Sequence, residues 1–175
     1  MDYYTKLLID ELVYLKSLLS LTKEKLDKIE NDFQDIVNNV INNKDELKDL
    51  INESKEISLS ESIINNSIIV DNDTKSLYRT IVKKTHPDII KNDFLNNIYI
   101  NSTKYYDLGD SLELILICYK LDIEIDYNKY EELIKKEISS YKEQIMFLEN
   151  SMSWKWFNDG KNSKWVLEHI KNIIK

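Results

Sequence analysis

The sequence predicts an all-α protein, in which a helical hairpin is combined with long coiled-coil helices. Two observations predict this class. The chain of 175 residues contains two glycines and one proline, far fewer than ordinary usage would supply. Sheets need many turns, and turns are built largely from Gly and Pro. Two stretches also repeat apolar residues at alternating steps of four and three, which is the pattern of a coiled-coil or bundle helix.

Residues 1–57 carry the more regular of the two repeats, and we predict one or two coiled-coil helices there. Thr22 and Asn43 interrupt the apolar seam, and Asn43 with Glu46 forms a capping box that favours a break near Asn42. The a positions are Leu12, Leu19, Leu26, Phe33, Val40 and Leu47, and the apolar d positions are Leu8, Leu15, Ile29, Ile36 and Leu50.

Residues 58–73 are predicted to be a linker or a short helix, because serines and asparagines there flank short apolar pairs. Asp73 is the predicted N-cap of a helix over residues 74–85. This helix should stop before His86-Pro87, since the residue that precedes a proline disfavours helical geometry.

Two further helices are predicted after this one. Asn92 should cap a helix over residues 93–107, and Asp110 should begin a helix over residues 111–121. The apolar run 114–118 could by periodicity alone be a buried strand, but its helical flanks favour a helix.

The second heptad segment occupies residues 126–157. It could pair with the first segment as an antiparallel hairpin within one chain, or the coiled coil could drive homodimerisation. Its repeat consists of Ile134, Ile138, Tyr141, Ile145, Leu148 and Met152.

The C-terminal part of the chain is rich in tryptophan, and residues 158–175 are predicted to form a Trp-containing helix. Trp154 and Trp156 either plug a helix junction or offer a docking surface to a further protein partner, because exposed aromatic side chains anchor interfaces. Cys118 is interpreted as a core residue, and His169 as a surface residue.

Composition and charge exclude several classes of function. The formal net charge of −7 argues against a general nucleic-acid binder, and no apolar run is long enough for a membrane span. The single cysteine and the absence of a secretory signal indicate a reducing, cytoplasmic environment. We find no phosphate-binding loop, no metal quartet and no nucleophile–base pair, so we expect no enzyme activity and no cofactor.

The helix predicted before His86 reverses the local sign of charge. Residues 74–91 contain five basic residues and one acidic residue. Lys75, Arg79 and Lys83 are spaced by four, so they form a cationic stripe along one face of a helix. Such a stripe is either a solvated helix face or a surface that steers an acidic partner.

The same helix ends in the tripeptide His86-Pro87-Asp88, which contains the only proline of the chain. A basic, tyrosine-bearing helix followed by this tripeptide resembles helix II and the HPD loop of J domains, the co-chaperone modules that engage DnaK-type chaperones. The resemblance implies a J-like domain over residues 74–125, with the next helix in the place of helix III. It also implies a chaperone-binding set, made up of His86, Pro87, Asp88, Lys75, Tyr78, Arg79 and Lys84, to which Lys83 is added because it extends the stripe.

The residue types of the loop suit a binding role. Pro87 fixes its own backbone and pushes His86 out of helical geometry, which gives a rigid bend. Asp88 can accept charge-assisted hydrogen bonds from an arginine of a partner, and His86 can donate from one ring nitrogen while it accepts at the other. Alternatively His86 simply ends the helix, or it binds a metal together with Asp88, although two ligands make a weak site.

The chain departs from the J-domain pattern at two places. Asp2-Tyr3-Tyr4 looks like the opening of helix I but lies too far before the loop, so we interpret the match as coincidence. Helix I is expected from residues 58–70 or from the coiled coil, or it is missing. Ile89-Ile90 also replace the basic residue that usually follows the tripeptide.

Two hypotheses of function follow. In the first, the protein is a co-chaperone or adaptor that recruits a DnaK-type chaperone and stimulates its ATP hydrolysis through the HPD loop. In the second, it is a coiled-coil structural or assembly protein whose J-like fold no longer stimulates a chaperone.

Overall fold

The computed structural model describes residues 2–42 and 71–173, and the predicted all-α class is confirmed for them, with seven α-helices, one 3-10 helix and no strand. The capping box at Asn43, on which the predicted break near Asn42 depends, and residues 58–70 of the segment 58–73 that was predicted as a linker or short helix lie outside the described residues. The elements are α1 (Tyr3–Asn42), α2 (Asn72–Thr85), α3 (Asp93–Asp107), α4 (Ser111–Lys120), the 3-10 helix (Tyr127–Tyr130), α5 (Glu131–Glu149), α6 (Met152–Asn158) and α7 (Ser163–Ile173).

The described residues divide into two compact units. The first unit contains residues 2–14 and 71–139, and the second unit contains residues 15–42 and 140–173. Among the described residues, no helix is both long enough and apolar enough to cross a membrane.

In the first unit, α2, α3 and α4 pack against one another. The first turns of α1 belong to the same unit: Thr5 donates a hydrogen bond to Asn128 (2.9 Å), and the Tyr119 hydroxyl donates one to Asp10 (2.6 Å). The fully or nearly fully buried apolar side chains of this unit are Ile9, Leu12, Leu77, Ile81, Ile98, Leu112, Leu114, Ile115, Cys118, Ile123, Tyr127, Ile134 and Ile138.

Side-chain caps begin the three central helices, and two of the three were predicted. Asn92 accepts from the Leu95 amide (3.2 Å), and Asp110 accepts from the Glu113 amide (3.1 Å). The apolar run 114–118 accordingly continues as helix, not strand. A side chain that accepts the otherwise unpaired amides of a first turn stabilises the helix start.

The predicted cap of α2 was wrong. Asp71, not Asp73, accepts from the Thr74 amide, at 2.6 Å, so α2 begins at Asn72. The amide of Thr74 holds the pKa of the Asp71 carboxyl below its usual value, as expected for a capping carboxylate. Asp73 lies inside the first turn, where its carboxylate pairs with the Lys129 ammonium at 2.6 Å.

The heptad pattern of α1 marks a face that is buried within a single chain. The seam residues Leu12, Leu15, Leu19, Leu26 and Ile29 are buried, and so is Thr22, the polar interruption. At the start of the helix the buried line runs through Thr5 and Ile9, whereas the predicted seam residue Leu8 is only half-buried.

In the second unit, α6 and α7 cover part of this face. Trp156 is buried with Ile29 and Val166, and its ring meets that of Phe33 at 5.3 Å between centroids. Ser151 caps α6 by accepting from the Trp154 amide, so the segment predicted as the second heptad helix is divided into the 3-10 helix, α5 and α6.

Contacts along α1 in this unit advance in the same direction as the sequence of the C-terminal segment. The Lys25 ammonium lies 4.7 Å from the centroid of the Trp154 ring, and further along Asp32 pairs with Lys161 at 2.6 Å. These two contacts join α1 to α6 and to the turn that follows α6, and the antiparallel hairpin of the two heptad segments stays a prediction.

Two matched truncations, one at a buried and one at an exposed isoleucine, test the packing of α2. Ile81 on α2 is fully buried, whereas Ile100 on α3 is 55% exposed. Ile81→Ala should lower the free energy of unfolding by about 2–5 kcal/mol, because it removes buried methyl groups and leaves a cavity. Ile100→Ala should change it by about 0.5 kcal/mol or less. Urea unfolding followed by circular dichroism measures both, and equal losses would contradict the buried position of Ile81.

Candidate functional site

The candidate site is the tight turn that follows α2. His86 is the C-cap residue, with φ −57° and ψ 129°, and its amide makes the last helical hydrogen bond, to the Val82 carbonyl (2.9 Å). The amides of Ile89 and Ile90 then both donate to the His86 carbonyl, at 3.0 and 3.1 Å. The chain can turn here because Pro87 has no amide hydrogen to continue the helix and disfavours helical geometry at His86.

The His86 side chain is held from two sides. Its Nδ1 accepts a hydrogen bond from the Asp88 amide at 3.2 Å, and its ring stands edge-on to the Tyr99 ring of α3, with 5.3 Å between centroids. The Asp88 carboxylate lies 3.6 Å from the same Nδ1, which is too long for a hydrogen bond. Because Nδ1 accepts, the neutral ring carries its hydrogen on Nε2.

This arrangement leaves the Asp88 carboxylate free to meet a partner. The side chain of Asp88 is 88% exposed, while that of His86 is 32% exposed. The loop therefore offers a largely exposed carboxylate, which suits a guanidinium group, and next to it a ring whose Nε2 hydrogen can be donated.

The cationic stripe lies on the exposed face of α2, as its spacing predicts. Lys75, Arg79 and Lys83 are all exposed, and none of their side chains forms an ion pair or hydrogen bond with any residue that the structure describes. Lys84 differs from them, because its ammonium reaches the Asp122 carbonyl at 3.5 Å. The three stripe residues are thus available to an acidic partner, whereas Lys84 also faces its own chain.

Tyr78 is half-buried and joins α2 to α3. Its hydroxyl lies 3.2 Å from the Thr103 hydroxyl, and its ring stacks on the Tyr106 ring with 4.5 Å between centroids and 18° between planes. The side chain that the resemblance assigns to chaperone contact therefore also packs within the unit.

Two supporting residues of the loop were missed by sequence reasoning. Tyr99 lies in the helix predicted over residues 93–107, but nothing in the sequence indicates that its ring meets that of His86. Thr85 is fully buried directly before the loop, and its hydroxyl donates to the Ile81 carbonyl at 3.0 Å. A threonine can satisfy its own hydroxyl on the preceding turn in this way, so its burial could not be predicted from its polarity.

Other reactive side chains are accounted for within the described part of the chain. No group of three potential metal ligands occurs there, so His86 and Asp88 remain a pair. Cys118 is fully buried, and burial raises the pKa of its thiol to about 12, which keeps it protonated and unreactive. His169 stacks on the Trp165 ring with 3.7 Å between centroids.

A scan of protein-family models, a search of curated proteins and a search of solved structures found no match to this chain.

The two histidines of the chain are expected to be opposite tautomers. His86 accepts at Nδ1 from the Asp88 amide, whereas the Nδ1 of His169 faces the Trp165 carbonyl at 3.0 Å and can only donate to it. Long-range ¹H–¹⁵N spectra at alkaline pH should therefore show an Nε2–H ring for His86 and an Nδ1–H ring for His169. Assignment follows from the His86→Gln and His169→Gln variants. An Nδ1–H ring at His86 would mean that it donates to the Asp88 carboxylate instead.

Proposed function

We propose that this protein is a J-like co-chaperone or adaptor, in which the turn after α2 engages a DnaK-type chaperone and stimulates its ATP hydrolysis. The single observation that carries the proposal is the geometry of His86-Pro87-Asp88. The turn follows a basic helix whose last residue, Thr85, is fully buried. It leaves the Asp88 carboxylate exposed, where an arginine of the chaperone could bind it.

Charge supports the same partner. Lys75, Arg79 and Lys83 form an exposed basic face in a protein whose formal net charge is −7. A local surface of opposite sign speeds association with an acidic partner and orients the encounter. Because this face lies on the helix that ends in the turn, one acidic surface can meet both the stripe and the loop.

The first turns of α1 are the part of the first unit that could correspond to helix I of a J domain. The first turns of α1 belong to the unit that contains the loop, through the hydrogen bonds of Thr5 and Asp10. We propose that these first turns of α1 correspond to helix I. In this proposal the opening Asp2-Tyr3-Tyr4 is no coincidence of sequence, although a long segment separates it from α2.

The remainder of the chain would choose the client or the location. Trp156 is buried, so a further partner at the tryptophan-rich tail would meet the half-buried rings of Trp154 and Trp165 instead. A single buried cysteine agrees with a reducing compartment such as the cytoplasm, where chaperones of this type act.

Stimulation should depend on the loop and not on the fold. In single-turnover ATPase measurements with a DnaK-type chaperone, His86→Gln should reduce the rate to that of the chaperone alone. Asp88→Asn should weaken the apparent affinity roughly tenfold or more, because it replaces a charge-assisted hydrogen bond by a neutral one.

Asp107→Asn is the matched control for the Asp88 change, because Asp107 is exposed at the far end of α3. It should leave the stimulated rate unchanged. If the well-folded wild-type protein stimulates none of several DnaK-type chaperones, the co-chaperone proposal fails. The coiled-coil scaffold is then the better account. Leu26→Asp, which places a charge in a seam that is buried within one chain, should then lower the stability of the second unit.

Reversal of the basic face should weaken binding in a salt-dependent way. We expect Lys75→Glu with Lys83→Glu to slow association with the chaperone about tenfold or more and to flatten its dependence on ionic strength. The control carries the same change in net charge at two exposed lysines elsewhere, Lys136→Glu with Lys164→Glu. Association rates at several salt concentrations measure both. Equal effects of the two pairs would show that only the net charge matters.

A further inference from the structure

The outer face of α5 carries two large apolar side chains in a charged surrounding. Phe147 is 78% exposed and Met146 is 61% exposed. The exposed positions around them on α5 are largely charged, as the sequence shows at Lys142, Glu143 and Glu149. Scattered exposed apolar residues need no explanation, but an adjacent phenylalanine and methionine beside a groove are typical of an interaction surface.

The groove lies within the second unit, between α1 and α5. Its volume is about 750 Å³, and it is lined by Lys23, Glu143, Gln144, Met146, Phe147, Leu148 and Asn150. A space of this size accommodates bulky apolar side chains of a partner. Phe147, the most exposed large apolar side chain among those of the unit whose burial the structure describes, is itself part of the lining. The projecting Phe147 side chain and the groove therefore lie side by side on one surface.

The charges at the groove favour a partner that carries both signs. Lys23 on α1 and Glu143 on α5 line it from its two sides, and neither forms an ion pair with any residue of the described chain. Glu143 lies one helical turn before Phe147, on the same face of α5. A purely acidic or purely basic partner would match only one of these two charges.

We propose that the occupant of this groove is a second copy of the chain, related to the first by a two-fold axis that passes near Phe147. Such an interface pairs each patch with an identical patch, so any contact between two residues occurs twice. Phe147 of each copy enters the groove of the other, and Lys23 of each copy faces Glu143 of the other. The seam residues Leu15, Leu19 and Leu26 are already buried within one chain, so they are not the dimer surface.

Sedimentation velocity of the full chain over a wide range of concentrations tests this proposal. The wild type should shift from monomer to dimer as its concentration rises. Phe147→Asp should raise the dissociation constant roughly thirtyfold or more, the loss typical of a central aromatic anchor. Leu21→Asp is the matched control, because Leu21 is 63% exposed in the same unit but lies outside the groove, and it should leave the dimer intact.

A charge exchange identifies the occupant as a second copy. Lys23→Glu alone and Glu143→Lys alone should each weaken the dimer, and the double exchange should restore it, since each pair then forms with reversed signs. This readout does not depend on the folding of the Phe147 variant. A wild type that stays monomeric at all concentrations overturns the proposal, and so does a dimer that is broken by Leu21→Asp but not by Phe147→Asp.

Discussion

The end of α2 at Thr85, which Pro87 enforces, is the constraint on which the candidate site depends. Because Pro87 has no amide hydrogen, the His86 amide makes the last helical bond and the His86 carbonyl becomes the acceptor of the following turn. This turn also brings the Asp88 amide close to the His86 ring, and the amide donates its hydrogen bond to Nδ1 within the loop. The Asp88 carboxylate is left as the exposed acceptor. A rigid loop of this kind loses little conformational freedom when it binds, which favours affinity.

The loop keeps its position because the helix before it is packed on two neighbours. Ile81 and Thr85 are fully buried, and Tyr78 stacks on α3 through Tyr106. The neighbouring Tyr99 ring then limits the orientations that the His86 ring can take. One face of α2 thus secures the helix in the unit while the other stays basic and exposed, and this division of an amphipathic helix permits a charged binding surface without a buried charge.

The helix boundaries could largely be predicted because they depend on local chemistry, whereas the long-range packing between helices could not be predicted. Asn92 and Asp110 cap their helices as predicted, because a cap depends on a side chain and an amide three residues later. Asp73 was chosen wrongly because Asp71 offers the same chemistry two residues earlier. The position of the loop could be read from its proline. The stacking of Tyr78 could not, since nothing in the sequence specifies which rings meet across two helices.

The two proposals together give an assembly with two loops. A dimer formed through Phe147 would carry one exposed Asp88 in each copy, so under the two proposals one assembly would engage two chaperone molecules. When both chaperones bind one client, the second binding event becomes intramolecular, and its strength is set by effective concentration and not by new contacts. The loop alone would then need only modest affinity, which agrees with a site built from one carboxylate, one ring and a solvated basic stripe. Self-association would thus act on function by raising the local number of loops, and it would leave the chemistry of each loop unchanged.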